Sequence, residues 1–348
     1  MKMTHKHVSR GCLLILSGIA LCIVSLKAAP NRVLRIIQTN SAGDNVDIID
    51  PATNKVVGEI KGIEVNHGVA ASPDGSRIYI SDEAISTLDV ADAKTFKVIK
   101  QIPLSGHPNN ITVTPDGSRV YVAINQVPGG VDVIDTASLS NIKTVKTGYR
   151  EHNPYVTPDG KFVVAGSSGA ANVVSVIDTT TNEVAWTVTM DQGIRPMTMS
   201  KNPDGSTKYL FVQLGDFNGF AVIDFASREE IKRIKHPDLP PGKPTVPDGD
   251  GVSHGMAVTP DQKLLVVDSR LNNMLYVYSL PDVKYVGGAE LGGKGAAWVS
   301  LTPDGKTAYV ANAVTNDVSV VDIKSLKEVA RINVGFVPKR NTTAMLQN

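Results

Sequence analysis

From residue 31 onward the chain is written in short runs of alternating apolar and polar residues. Runs such as Val46-Asp-Ile-Ile-Asp50, Arg119-Val-Tyr-Val-Ala123 and Val131-Asp-Val-Ile-Asp135 are rich in β-branched and aromatic residues. Clusters of Gly, Pro, Asn and Asp bound them, which is the period-two signature of half-buried β-strands. The runs recur. Pro-Asp-Gly appears at 73–75, 115–117, 158–160, 203–205 and 303–305, with Pro-Asp-Gln at 260–262. The steps of 42, 43, 45, 57 and 43 residues lie in the range of propellers and solenoids. Each period holds four candidate strands. One precedes the turn (Gly68–Ser72, Asn110–Thr114, Met256–Thr259) and one follows it (Arg77–Ser81, Arg119–Ala123, Thr307–Asn312). A third ends in Asp (Val173–Asp178, Phe220–Asp224, Val318–Asp322), and a fourth follows a polar turn (Lys55–Ile60, Lys97–Ile102, Glu183–Met190, Glu328–Val334). Four short strands per period make one propeller blade.

Six complete units start near residues 65, 107, 150, 195, 252 and 295. Residues 31–61 supply the second, third and fourth strands of another unit, and residues 335–346 supply a first strand. The two ends complement each other, so the expected fold is all-β: a seven-bladed β-propeller whose last blade joins N-terminal strands to a C-terminal inner strand. Residues 30–348 are read as a single domain of 319 residues, about 45 per blade. The Asp closing six of the third strands (50, 92, 135, 178, 224, 322) is read as turn chemistry, because a side chain repeated at one place in six blades is not a catalyst.

The first 29 residues break the pattern. Lys2, Lys6 and Arg10 precede an apolar stretch from Cys12 to Leu26, and Ala28-Ala29 offers a cleavage point. This is a secretory signal peptide, or an anchor if it stays uncleaved, so the protein is expected to be periplasmic or extracellular. Losing four basic residues and no acid takes the net charge from +1 to −3. Both cysteines leave with it, so folding needs no oxidant. The mature charge and an aromatic content of 5% argue against nucleic acid as partner. No membrane span is expected after removal of the leader, and the closed ring is read as a monomer.

The Pro-Asp-Gly turn followed by Tyr309-Val-Ala-Asn312, and the series Arg119-Val-Tyr-Val-Ala123, resemble the YVTN repeat family of seven-bladed propellers, akin to lactonase-like and nitrous-oxide-reductase-like propellers. The resemblance covers the whole mature chain. It implies the fold and leaves function open, since the family's members range from surface-layer proteins to enzymes.

First strands of a propeller line the central channel, and the residues just before them ring its mouth. Counting six positions back from each turn proline gives His67, Asn109, His152, Met197, His254 and Ala297, with Lys339 in the seventh blade. Three of the five mature histidines therefore share one register. One reading is a three-histidine metal centre for Zn, Cu or Fe, with an open position for water or substrate. The other is repeat inheritance, with each histidine bonding the next blade. His107, Arg150 and Arg195 lie two positions earlier, Glu151 adjoins His152, and Asp82, Glu83, Asp268 and Arg270 occupy loops on the same face. The arginines suit a carboxylate or phosphate.

One step is long because of the five-proline insertion at 236–252, which crosses the mouth face before His254. Asp248 and Asp250 in it are too few for a calcium site. No phosphate loop, nucleophile elbow or cysteine pair is present in the sequence. Two functional expectations follow. The first is an exported binding or interaction scaffold that takes a small molecule or protein at the channel mouth, with His107, Asn109, Arg150, Asp268 and Arg270 as contacts. The second is a metal-dependent lyase, hydrolase or oxidoreductase with ligands His67, His152 and His254, and with Lys339, Arg195 or Glu151 orienting substrate or moving protons.

Overall fold

The computed structural model describes residues 1–3, 31–239, 243 and 251–348. The leader reading, like Asp248 and Asp250, lies outside the described residues. Among the described residues no helix is long and apolar enough to cross a membrane.

Seven four-stranded antiparallel sheets carry residues 31–348. Six run outward in chain order, as in Asn66–Ala71, Arg77–Asp82, Thr87–Asp92 and Val98–Pro103 of blade 1. Blade 7 begins at the C-terminus: Pro338–Gln347 pairs with Arg32–Asn40, which is followed by Asn45–Asp50 and Lys55–Lys61. The innermost strand of each blade packs against the innermost strands of both neighbours, and Pro338–Gln347 closes the circle between blades 6 and 1. Both ends of the chain thus build the seventh blade, as the repeat count requires.

The repeated turns show why the motif recurs. Ser72 Oγ donates to Asp74 Oδ1 at 2.6 Å, Ser76 N donates to the same oxygen at 3.0 Å, and Gly75 takes φ +71°. Thr114, Thr259 and Thr302 repeat the hydroxyl contact in later blades. The closing aspartates cap their own turns, with Thr95 N 2.8 Å from Asp92 Oδ1 and Ser138 N 2.7 Å from Asp135 Oδ1. These hydrogen bonds hold both carboxyls below their usual range. Apolar faces meet between blades. Ile37, Val46 and Ile48 of blade 7 pack with Ile78 and Ile80 of blade 1 and with the C-terminal Leu346. At about 25 cal/mol per Å² of buried apolar surface, such inter-blade seams are the main source of cohesion.

Candidate functional site

A backbone hydrogen bond recurs at the mouth end of the blades and fixes which residues are equivalent. Glu83 N donates to Val65 O, Asn125 N to His107 O, Ser168 N to Arg150 O, Gly215 N to Gly193 O, Ala313 N to Gly295 O and Ser41 N to Val337 O. The residue two positions after each acceptor begins the channel wall. These residues are His67, Asn109, His152, Arg195, Ala297 and Lys339, and His254 completes the ring from blade 5. The position expected for Met197 is therefore held by Arg195. Ile194–Lys201 is two residues longer than the typical six-residue first strand and bulges between Met199 and Lys201, so counting six back from Pro203 stops two residues short. Met197 is fully buried in an apolar cluster.

The ring splits into two groups. On one side, His67 Nδ1 lies 2.5 Å from Glu83 Oε1, and Glu83 Oε2 lies 3.9 Å from His107 Nε2. Burial pushes the Glu83 carboxyl up, while His107, Arg340 and Lys339 pull it back. His67 is 9% exposed, whereas His107 sits more openly at the rim. On the other side, the His152 and His254 rings meet edge to face with centroids 5.5 Å apart. Asn153 Nδ2 contacts His152 Nδ1, and His254 Nδ1 lies 2.9 Å from Ala297 O, so it is the protonated nitrogen of that ring. Burial and the nearby Arg340 hold both imidazoles neutral, well below the usual histidine range.

Sequence reasoning missed Arg340. Only 1% exposed, it donates to Asn153 Oδ1 (3.3 Å) and Ala297 O (3.4 Å), lies beside the His254 ring, and its guanidinium is 4.4 Å from the Trp298 ring centroid. From blade 7 it reaches residues of blades 3, 5 and 6, and so plugs the channel. The Nδ1 contacts of His67 with Glu83 and of His254 with a carbonyl are ones a metal-ligating histidine also makes, whereas the Arg340 guanidinium beside His254 opposes a second cation there. Among the described residues no group of three His, Cys, Asp or Glu side chains is arranged to hold a metal ion. One signal was available, since Arg340 follows the ring residue at a place where five other blades carry Gly, Asn or Pro.

The remaining candidates disperse. Asn109 is buried, and its carbonyl accepts from Ser81 Oγ at 2.5 Å, which ties blade 2 to blade 1. Arg150 is exposed at the rim. Arg270 is buried against the carbonyls of Gly295 and Ala296. Asp268 receives the His254 N–H at 2.9 Å, and burial pushes its carboxyl up to about 7. Glu151 is fully buried, and burial raises its carboxyl to about 7 against the lowering effect of the Thr147 hydroxyl. Arg195 is half-buried, with Gly251, at the end of the proline-rich insertion, against its guanidinium. At the other end of that insertion His236 is buried, 2.7 Å from the Tyr278 hydroxyl and stacked on Tyr276, away from the ring.

Seven four-stranded sheets about a channel plugged by polar side chains define a seven-bladed β-propeller with its polar cluster on the axis. The chain belongs to the lactonase family of seven-bladed β-propellers, whose family model matches residues 69–333. Among solved structures, hydrazine synthase from Kuenenia stuttgartiensis superposes with a TM-score of 0.72 at 23% identity, over 88% of this chain and 99% of that one. The periplasmic gluconolactonase of Pseudomonas aeruginosa gives 0.71 at 18% identity, over 89% and 99%. A putative 6-phosphogluconolactonase from Bacteroides uniformis gives 0.72 at 17%, over 90% and 100%. At these identities the likeness shows the fold alone. No curated protein matches the chain.

Proposed function

We propose that this chain is an exported hydrolase of small cyclic esters, acting at the channel mouth with His67 as general base. The observation that carries this reading is the 2.5 Å contact between His67 Nδ1 and Glu83. A carboxylate on Nδ1 fixes the tautomer, with the proton on Nδ1 and the basic lone pair on the buried Nε2. Water gives a proton to Nε2 as its oxygen bonds to the lactone carbonyl carbon. The ring C–O bond then breaks, and the imidazolium returns the proton to the departing alkoxide, leaving a hydroxy acid. Lys339 and Arg195, at the same ring level, stabilise the oxyanion and attract the carboxylate product. Two solved neighbours of this fold are named as lactonases, which supports the choice of ester.

The test is hydrolysis of an aldonolactone such as gluconolactone, followed by pH-stat with the spontaneous rate subtracted. His67→Gln and Glu83→Gln should each lower kcat roughly 10²-fold or more, and Lys339→Met should raise KM. Wild-type turnover in His67→Gln would sink the proposal. Saturable binding with no turnover would replace it with a binding scaffold at the same mouth. Stoichiometric Zn, Cu or Fe in tag-free protein, lost in His152→Ala, would replace it with the metal-dependent reading. Cell fractionation tests the exported location.

A further inference from the structure

Below the plug the channel is open. A cavity of about 670 Å³ runs from Arg340 to the face of the Pro-Asp-Gly turns, with Pro73, Pro260 and Arg32 among its lining residues. That size falls in the range of small-molecule sites. Its closed end is built from residues that break the repeat. The position after the ring residue is Gly, Asn or Pro in five blades, but Trp298 and Arg340 in blades 6 and 7. Two positions further on, six blades carry Ala, Thr or Ser, and blade 3 carries Tyr155. Repeat inheritance therefore does not account for the three largest side chains there. They meet: the Trp298 and Tyr155 rings are parallel within 9° at 6.5 Å, and the Arg340 guanidinium covers Trp298. The charged side chains of the lining are Arg32 and Arg340, and no carboxylate lines the cavity among the described residues. Hydroxyls of Thr112, Ser300 and Thr343 complete the wall.

We propose that this cavity is a second small-molecule site, separate from the mouth, that takes a flat ring bearing one carboxylate. The aromatic pair offers faces for the ring, and the two arginines set the sign of the charge. The chain has two tryptophans, so Trp186→Phe leaves Trp298 as the sole tryptophan, and excitation beyond the tyrosine band makes the cavity report on itself. Benzoate titrated into this variant should change its fluorescence saturably. Benzamide, the neutral isostere, should bind at least about tenfold more weakly, and cyclohexanecarboxylate more weakly than benzoate. Arg32→Glu should weaken benzoate roughly two- to fivefold. Ser300→Phe, which fills the chamber, should abolish the response in protein shown to be folded by circular dichroism. If that variant does not fold, Arg32→Glu decides. His67→Gln should leave benzoate binding unchanged, which separates this site from the mouth. A non-saturating response, equal binding of benzamide, or wild-type binding in folded Ser300→Phe would mean that Trp298, Tyr155 and Arg340 are a plug only.

Discussion

Two glycines occupy the same place in the same turn and differ in what lies beside them. Gly75 and Gly160 each end a Pro-Asp-Gly turn, at φ +71° and +73°. A side chain at either position suffers the left-handed conformation, about 1 kcal/mol for alanine. At Gly160 the added Cβ would meet only the Pro115 ring, with Cδ at 3.4 Å and Cγ at 3.7 Å. At Gly75 it would lie 2.1 Å from Met345 O and 3.2 Å from Gln347 N, so the C-terminal strand must retreat by about 1 Å to restore ordinary contact. Three hydrogen bonds bind that seam: Gln347 N to Gly75 O (2.9 Å), Gln347 Nε2 to Asp74 O (3.2 Å) and Arg32 Nη1 to Pro73 O (3.0 Å). At about 0.5–1.5 kcal/mol each, their loss adds roughly 2–4 kcal/mol. A domain of this size loses about 1–2 °C of Tm per kcal/mol. Gly160→Ala should therefore lower Tm by about 1–2 °C and Gly75→Ala by about 5–8 °C. Thermal unfolding followed by circular dichroism measures both, and carboxypeptidase digestion should attack only Gly75→Ala faster. Equal melting temperatures would refute the claim that the C-terminal strand is clamped to blade 1.

Truncation after Val334 removes the whole inner strand of blade 7, with buried Leu346 and Arg340, and should cost at least several kcal/mol and abolish cooperative folding. An unchanged Tm in a soluble monomer would contradict the closure. Glu151 ionises near 4.5 in an unfolded chain and near 7 when folded. Its contribution is thus fully present below about pH 4.5 and is lost as pH rises to about 7, by up to about 3 kcal/mol. Glu151→Gln should accordingly stabilise the protein at pH 8 and not at pH 4, measured by urea unfolding at both. Equal effects at the two pH values would show that the carboxyl is not buried as described.

The blades were legible because their turns depend on local chemistry. Pro, Asp and Gly each do one job within a single tetrapeptide, and the closing Asp binds its own loop, so spacing alone exposes the count. Blade 4 escaped that logic. Its first strand is two residues longer, and only pairing across the sheet, Ile194 with Leu214 and Met197 with Val212, reveals that Arg195 faces the ring. Glu83 and His67 are 16 residues apart, and nothing in a linear spacing says that their side chains meet. The register of His67, His152 and His254 was correct, yet their chemistry depended on Arg340, which enters from blade 7. Coincidence of register is a property of the repeat, whereas convergence of atoms is a property of the rotamers and neighbours.

The contact between Asn348 N and Asn31 O, at 2.9 Å, closes a loop of covalent chain on itself. It also imposes an order on the protein's making. Strands Arg32–Asn40, Asn45–Asp50 and Lys55–Lys61 lack their inner partner until residues 338–347, some 280 positions later, arrive. Blade 7 therefore stays incomplete until that strand is made, and blade 1 waits as long for one of its two flanking faces. Blades 1 to 6, spanning residues 66–333, are therefore made while the ring is still open, and one late strand locks all seven.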